Sequence, residues 1–244
     1  MTVLLVMVHH LTVKINMARN QYPLDVYLSP AFAIKRFQGL RDKHGNKKAL
    51  SEVEFKSERE MWITGVFLLG IGDLTHKQYW LRPNNEDTTP DTYSISFLTS
   101  DKGATAEMQN IEIFEYEKHN KNTLTEAITK KLDNKAYPDD YTLLCYIHDR
   151  SGEKLTPIDI AEHVKKIKPK IAQVWILANV LNPLTSNEHI LIQAYPEPIV
   201  HKFDYVEAIK KQNQAELIHA KKDLRKMIKE VVFEPMGLHI LKLP

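Results

Sequence analysis

The sequence predicts an α/β protein with one mixed central β-sheet flanked by helices. First, two strand-like runs, DTYSISFL and NIEIFEYE, lie close together in the chain, as in hairpins. Second, the later apolar runs YTLLCYIH and AQVWILANV alternate with helical segments, as in parallel crossovers. Third, a chain of 244 residues that is 43% hydrophobic can bury a sizeable core.

Composition narrows the class of protein. The formal net charge of +2 gives no strong overall field toward nucleic acid or membrane, so any basic surface must be local. Cys145 is the single cysteine, which excludes an intramolecular disulfide and fits a cytoplasmic protein. Its apolar neighbours predict a buried structural thiol. No apolar run reaches the ~18 residues of a membrane-spanning helix, so we expect no membrane partner.

The chain divides into three regions, expected to form one structural domain: 1–54, 55–200 and 201–244. In the first, MTVLLVMVHH predicts a strand. Met17 is a second candidate for the natural first residue of the protein. Residues 20–48 contain several Pro and Gly residues and predict irregular structure or a short hairpin, with LDVYL as a strand. The basic run RDKHGNKK is typical of a solvated loop, and contact with phosphate is the alternative.

The core region begins with a helix. Ser57 and Glu60 have capping-box spacing, and the apolar run after them predicts a helix buried on most faces that ends at Gly70 and Gly72. KQYWL predicts a strand before DTYSISFL and NIEIFEYE. A capping box at Thr123 and Glu126 predicts the helix LTEAITKKL.

Pro157 at a first helical position predicts the amphipathic helix PIDIAEHVKKI, whose apolar face includes Ile158. AQVWILANV and HILIQAYP predict the last two core strands. The third region predicts a long polar helix over roughly 205–232, typical of a basic, solvated surface helix.

Carboxylates are concentrated on the central strands. Side chains alternate along a strand, so Glu115 and Glu117 share one face while Phe114 and Tyr116 pack on the other. Asp91, at the start of the neighbouring strand, could lie beside them. Three carboxylates repel one another unless a cation compensates, and oxygen ligands suit Mg²⁺ or Mn²⁺. The alternatives are turn chemistry at Pro90–Asp91 and a solvated edge-strand face for the glutamates.

The residues PD, an acidic strand about twenty residues later, and the order helix, three strands, helix, strand resemble the core of the PD-(D/E)xK nuclease superfamily. The resemblance covers roughly residues 55–195 and implies a restriction-endonuclease-like fold and Mg²⁺-dependent hydrolysis of phosphodiesters. Asp91 and Glu115 match the two acidic positions of the motif, as metal ligands. Glu117 stands where the family usually has the lysine that orients or activates water.

The resemblance also extends to the helix that precedes the strands, where many members have a further carboxylate. Glu58 and Glu60 match it, with Glu60 as an additional metal ligand, although helix capping would explain both residues. Lys118, next to Glu117, points to the opposite strand face, so only a bulge would re-aim it.

These observations predict a metal-dependent endonuclease acting on DNA, of restriction or phage type, with Asp91, Glu115 and Glu117 as catalytic residues. Lys118, Lys130, Lys131 and Lys135 are the predicted phosphate contacts. The superfamily also implies a homodimer. The alternative is a catalytically inactive nuclease-like domain that binds nucleic acid or assembles with proteins, which the missing lysine favours. A third interpretation is an unrelated α/β protein whose acidic strand is only solvated.

Overall fold

The computed structural model describes residues 26–86, 88–100, 103–117, 122–148, 156–180, 187–212, 215–219, 229–233 and 239–243. Within them lie six α-helices: α1 (Pro30–His44), α2 (Asn46–Ser51), α3 (Lys56–Thr75), α4 (Leu124–Asp133), α5 (Pro157–Ile167) and α6 (Tyr205–Lys211). The described strands are β1 (Val26–Leu28), β2 (Tyr79–Pro83), β3 (Thr92–Ser100), β4 (Gly103–Tyr116), β5 (Tyr141–Ile147), β6 (Gln173–Asn179), β7 (Glu188–Tyr195), β8 (Ile199–Asp204), β9 (Leu217–His219), β10 (Lys229–Phe233) and β11 (His239–Leu243).

These strands form one mixed sheet, in which nine follow the order β8-β7-β6-β5-β4-β3-β2-β1-β9, and β11 pairs with both β10 and β4. Strands β2, β3 and β4 are antiparallel neighbours, whereas β4, β5 and β6 are parallel and joined through α4 and α5. Strands β7 and β8 continue antiparallel. The predicted class, a mixed sheet flanked by helices, is therefore confirmed.

Each face of the sheet carries a hydrophobic layer. On one face, β4 presents Ile111 and Ile113 to a core that includes much of α3. On the other, Tyr116 and its partly buried neighbour Phe114 join a core that includes residues of α4 and α5. The alternation predicted for β4 is thus confirmed, and it places Glu115 on the α3 side.

The irregular region predicted at 20–48 is wrong for most of its length. LDVYL does include a strand, β1, but α1 and α2 occupy most of the residues after it. Ser29 caps α1 by accepting a hydrogen bond from the Phe32 backbone N–H, and Pro30 takes the first helical position. Pro30 and Gly45 therefore mark the two ends of α1, whereas Gly39 lies within it. The strand predicted at 1–10 lies outside the described residues.

The beginning and end of α3 also differ from the prediction. The helix starts at Lys56 after Phe55, which makes no side-chain capping hydrogen bond, so the predicted Ser57–Glu60 capping box is absent. Helix α3 continues through both glycines to Thr75. A Cβ at Gly70 would lie 2.5 Å from Leu191 Cδ1 and from Phe203 Cε1, so this glycine allows close packing of the helix on the sheet.

The C-terminal prediction of one long helix is wrong. Helix α6 ends at Lys211, and the chain then returns to the sheet as β9, which pairs with β1, while β11 pairs with the first half of β4. Tertiary strand pairing therefore overrides the helix propensity of this polar segment. Part of the predicted helix, residues 220–228, lies outside the described residues.

The remaining core predictions agree with the structure in most respects. The capping box at Thr123 and Glu126 forms, and Cys145 is a fully buried free thiol whose pKa is raised by burial. One face assignment is wrong, because the Ile158 side chain is 64% exposed at the start of α5. Strand β4 begins at Gly103, seven residues before the predicted run NIEIFEYE, so it is longer than predicted. Among the described residues, no helix combines the length and apolar character needed to span a membrane.

Candidate functional site

Asp91 lies directly before β3, beside the second half of β4. Its Oδ2 accepts a hydrogen bond of 2.7 Å from the Ile113 backbone N–H. Its backbone carbonyl accepts a second one, 2.9 Å long, from the Asn84 N–H. Because β3 starts at Thr92, opposite Ile111, the Asp91 carboxylate takes the N–H that a longer β3 would have paired. Its position is therefore fixed by the sheet.

Helix α3 is tied to the same point. Thr64 Oγ1 and Thr92 Oγ1 are 2.9 Å apart and both residues are fully buried, so a hydrogen bond joins the middle of α3 to the first residue of β3. The first turns of α3, which contain Glu58, Arg59 and Glu60, consequently pass over the β3–β4 pair. All three side chains are buried, an unusual setting for charged residues.

Glu115 is held by two basic groups. Arg59 Nε donates to both Glu115 carboxylate oxygens, at 3.1 and 3.2 Å, and His148 Nε2 hydrogen-bonds to Oε2. Burial alone would raise the pKa of Glu115, but the hydrogen bonds and charges of His148 and Arg59 outweigh it and lower the pKa. Glu115 is therefore an ionised, compensated carboxylate.

Glu60 is in the opposite condition. Burial, followed by the charge of Asp91, raises its pKa to about 7, and the charge of Glu115 adds to the effect. Lys56, one turn earlier on α3, lies 3.2 Å from Glu60 Oε1 and offsets only part of this shift. The pKa of Asp91 is also raised, by burial and then by the charge of Glu112, despite the hydrogen bond from Ile113.

Glu112 is the fourth carboxylate and projects to the α4 side of the sheet. Lys131 and Lys135 contact its Oε1, at 3.2 and 2.9 Å. Its Oε2 is buried and has no hydrogen bond of normal geometry, and the same is true of the Tyr137 hydroxyl. The two groups are close enough for the carboxylate to add to the raised pKa of Tyr137, which is due first to burial.

Of the predicted site residues, Asp91 and Glu115 lie close enough to Glu60, at the N-terminal end of α3, for their charges to raise its pKa. Glu117 lies just after the last residue of β4 and is exposed. Glu58 is buried and has Arg36 at 4.0 Å. Lys130 is exposed, whereas Lys131 is engaged with Glu112. Lys118 lies outside the described residues.

Four residues next to this cluster were not predicted as part of the site: Lys56, Arg59, Glu112 and His148. Arg59 and Glu60 are adjacent charged residues at the start of an otherwise apolar helix, and that pattern is a usable signal, because buried charges need partners. Glu112 lies on the opposite face of β4 from Glu115, so the strand period gives no reason to group the two residues. No local pattern identifies His148, because only the parallel pairing of β4 with β5 brings it to Glu115.

The carboxylate oxygens of this site are the type of ligand that a hard cation such as Mg²⁺ prefers, but their arrangement is not that of a formed metal site. The raised pKa values of Glu60 and Asp91 and the unpartnered Glu112 Oε2 mark negative charge that the protein compensates incompletely. However, nowhere in the described part of the chain are three or more His, Cys, Asp or Glu side chains already arranged around one ion position. Binding would require Glu60 and Glu115 to turn away from Lys56 and Arg59.

No family model, curated protein or solved structure matches this chain significantly.

Proposed function

We propose that this protein is a metal-dependent endonuclease that hydrolyses phosphodiester bonds in DNA. The observation that carries the proposal is the pair of Glu60, which is buried, and Asp91, which is partly buried, because burial and neighbouring carboxylates raise the pKa of both. A protein rarely buries acids so close together without a use for them, and perturbed pKa values are concentrated at functional sites.

In this proposal Asp91, Glu60 and Glu115 hold Mg²⁺ or Mn²⁺, and Glu112 is a further carboxylate behind Asp91. When bound, such a cation lowers the pKa of water and stabilises negative charge on a phosphoryl group. The protein's own contribution is to fix Asp91 through the Ile113 N–H, so that one carboxylate keeps its position while the side chains around it adjust.

In this proposal the ammonium group of Lys56 supplies the positive charge that the lysine of the motif would have supplied. Its ammonium lies 3.2 Å from Glu60 Oε1, and the charges of Glu60, Asp91 and Glu112 raise its pKa against the opposing effect of burial. A lysine from the first turn of α3 would therefore approach the same carboxylates from the helix. The order of α3, β2, β3, β4, α4 and β5 also agrees with the element order that the resemblance implies.

The second candidate function is an inactive nuclease-like module that binds nucleic acid or assembles with proteins. Its specific support is the Arg59–Glu115–His148 set, which already neutralises the carboxylate that the motif would give to the metal. The exposed position of Glu117, where the motif has lysine, favours the same interpretation.

The test is cleavage of plasmid and single-stranded DNA by the full chain, with Mg²⁺, Mn²⁺ or chelator. Asp91→Asn, Glu60→Gln and Lys56→Met are compared with Glu162→Gln, an exposed control on α5. We expect metal-dependent cutting that the first three variants lose and the control keeps. Cutting that survives Asp91→Asn would refute the site. Absence of cutting, together with absence of metal binding by calorimetry, would support the inactive module.

A further inference from the structure

Basic side chains are concentrated where α1 meets α2, a surface that we call the α1–α2 corner, comprising residues 41–48. From residue 35 to 48 the chain has six Lys or Arg residues and one acidic residue, Asp42, whereas the formal net charge of all 244 residues is only +2. This segment has a net charge of +5 (6 minus 1), and the rest of the chain has −3 (27 minus 30), so the excess of positive charge is confined to one short segment. Elsewhere basic and acidic residues nearly balance.

The corner presents its charge to solvent. Lys43, Lys47 and Lys48 are exposed, and none of these three forms an ion pair with another described residue. Arg41 is oriented by its hydrogen bonds to Asn46 and Gln38, at 2.7 and 3.4 Å. The helix dipole favours basic residues in the last turn of α1. Lys47, however, lies in the first turn of α2, where the dipole disfavours a cation and no acidic residue is present.

The corner adjoins the candidate site. The His44 ring lies 4.9 Å from the ring of Phe55, and Phe55 directly precedes Lys56 at the start of α3. Earlier on α1, the Phe37 ring stacks on Trp62 of α3 at 5.0 Å. Helix α1 is thus packed along α3, and its basic end lies at the end of α3 that carries Glu60.

From this placement we infer that the α1–α2 corner binds the phosphate backbone of the nucleic acid whose bond is cut at the carboxylate cluster. The inference rests on the proposed function for the identity of the partner. A carboxylate cluster repels a polyanion, so a neighbouring cationic surface must supply the attraction. Lysines are suited to this task because they contact phosphate without reading the base sequence.

Two of the phosphate contacts predicted in and just after α4 are occupied within the protein, whereas Lys130 of α4 is exposed. Lys131 and Lys135 both contact Glu112, so their charge is used within the protein. Lys43, Lys47 and Lys48 have no such intramolecular use among the described residues. The phosphate-contact alternative for the run RDKHGNKK is therefore the interpretation that this placement favours.

The experiment measures binding of a fluorescent duplex of about 30 base pairs by anisotropy, in chelator so that no cutting occurs, at several salt concentrations. The variant Lys43→Gln/Lys47→Gln/Lys48→Gln is compared with Lys166→Gln/Lys170→Gln/Lys202→Gln. The control lysines are also exposed, but Lys166 and Lys170 lie where α5 returns to the beginning of β5 and β6, away from the ends of β4 and β5 that carry Glu115 and His148.

We expect the corner variant to lose about tenfold to a hundredfold in affinity and its salt slope to fall by about 2 to 3, since each phosphate contact contributes about 0.9. The control should change neither quantity. Circular dichroism must show both variants folded, and Lys43→Glu/Lys47→Glu/Lys48→Glu provides a stronger change of charge. Equal affinities and slopes for the two triple variants would overturn the inference.

Two further arms separate this inference from the proposed function. If DNA is bound through the corner but never cut with Mg²⁺ or Mn²⁺, the corner is supported and the nuclease proposal fails. If DNA is cut but the corner variant binds normally, the reverse holds. Anionic phospholipid vesicles serve as a competing polyanion, and corner-dependent binding to vesicles without binding to DNA would overturn the inference.

Discussion

Two carboxylate environments lie side by side at the N-terminal end of α3, and they differ in compensation. Glu115 is held by Arg59 and His148, and its pKa is lowered. Glu60 is equally close to a basic residue, Lys56, yet its pKa is raised to about 7. The difference arises because Glu60 is buried beside the charge of Asp91 and has only Lys56, whose side chain is 57% exposed, whereas Glu115 has two basic partners, His148 and the buried Arg59.

Glu60 and Glu115 are the same residue type, so their surroundings decide which carboxylate is compensated by basic groups and which retains negative charge for a cation. Glu115 contributes to the fold through its ion pairs. Glu60 and Asp91 are instead placed at a cost in stability, a pattern found at functional sites. Substitutions at the compensated Glu115 and its partners should therefore affect stability and metal binding differently from substitutions at Glu60 and Asp91.

The largest expected effect is on the compensated side. Arg59→Met leaves Glu115 partly buried with His148 as its remaining basic partner, and we expect the free energy of unfolding to fall by about 3 kcal/mol. Urea unfolding at about pH 7.5 measures it. The double variant Arg59→Met/Glu115→Gln removes the unpaired charge and should regain more than half of the loss. A single variant as stable as the parent chain would show that Glu115 does not depend on Arg59.

The next largest effect is expected at Glu60, where a substitution should raise the free energy of unfolding and not lower it. The pKa of Glu60 is raised from its ordinary 4.5 to about 7, so the folded state binds more protons than the unfolded chain between these values. This carboxyl therefore lowers stability as pH rises through that window. Glu60→Gln should be more stable than the parent chain at about pH 7.5, by about 2 kcal/mol, with the difference vanishing near about pH 4.

Urea unfolding in chelator at about pH 4, 5.5 and 7.5 measures this dependence. Glu162→Gln, an exposed acid on α5, is the matched control and should show no such trend. If Glu60→Gln gained no stability at the highest pH, Glu60 would belong with Glu115 among the compensated carboxylates.

A smaller effect is expected from metal. With a dissociation constant of about 1 mM, about 10 mM Mg²⁺ should stabilise the parent chain by about 1.4 kcal/mol, seen as a higher melting temperature at about pH 7.5. Asp91→Asn keeps an oxygen acceptor for the Ile113 N–H but removes the charge, so the variant should fold and lose this stabilisation. Equal Mg²⁺ stabilisation of both proteins would place the metal elsewhere.

The smallest effect is expected at Glu117, which is exposed just beyond β4. Glu117→Gln should change the free energy of unfolding by less than about 0.5 kcal/mol and leave Mg²⁺ stabilisation intact. A loss of metal binding in this variant would restore Glu117 to the site as the motif position implies.

Much of the fold could be predicted from local signals. The Thr123–Glu126 capping box, Pro157 at its helix start and the apolar run around Cys145 each fix an element through neighbours in sequence. The errors at the C-terminus and in α3 have one cause, which is that packing overrode local signals. The segment after Lys211 pairs with the sheet, and α3 continues through Gly70 because the sheet needs close approach there.

The candidate site likewise has features that local sequence signals predict and features that depend on packing. The strand period was enough to place Glu115 opposite Phe114 and Tyr116, and the capping preference of Glu60 was a reasonable but incorrect local explanation. The partners of Glu115 are remote in sequence. Arg59 is 56 positions from Glu115, and His148 is 33 positions from it.

By itself the sequence determined the mixed α/β class, the alternation of side chains on β4 and the presence of acidic residues near its end, because these depend on periods of two and 3.6 residues. Only the tertiary structure decided which acids are compensated. Charge compensation depends on through-space distances and burial, and these are set when α3, β4 and β5 pack together.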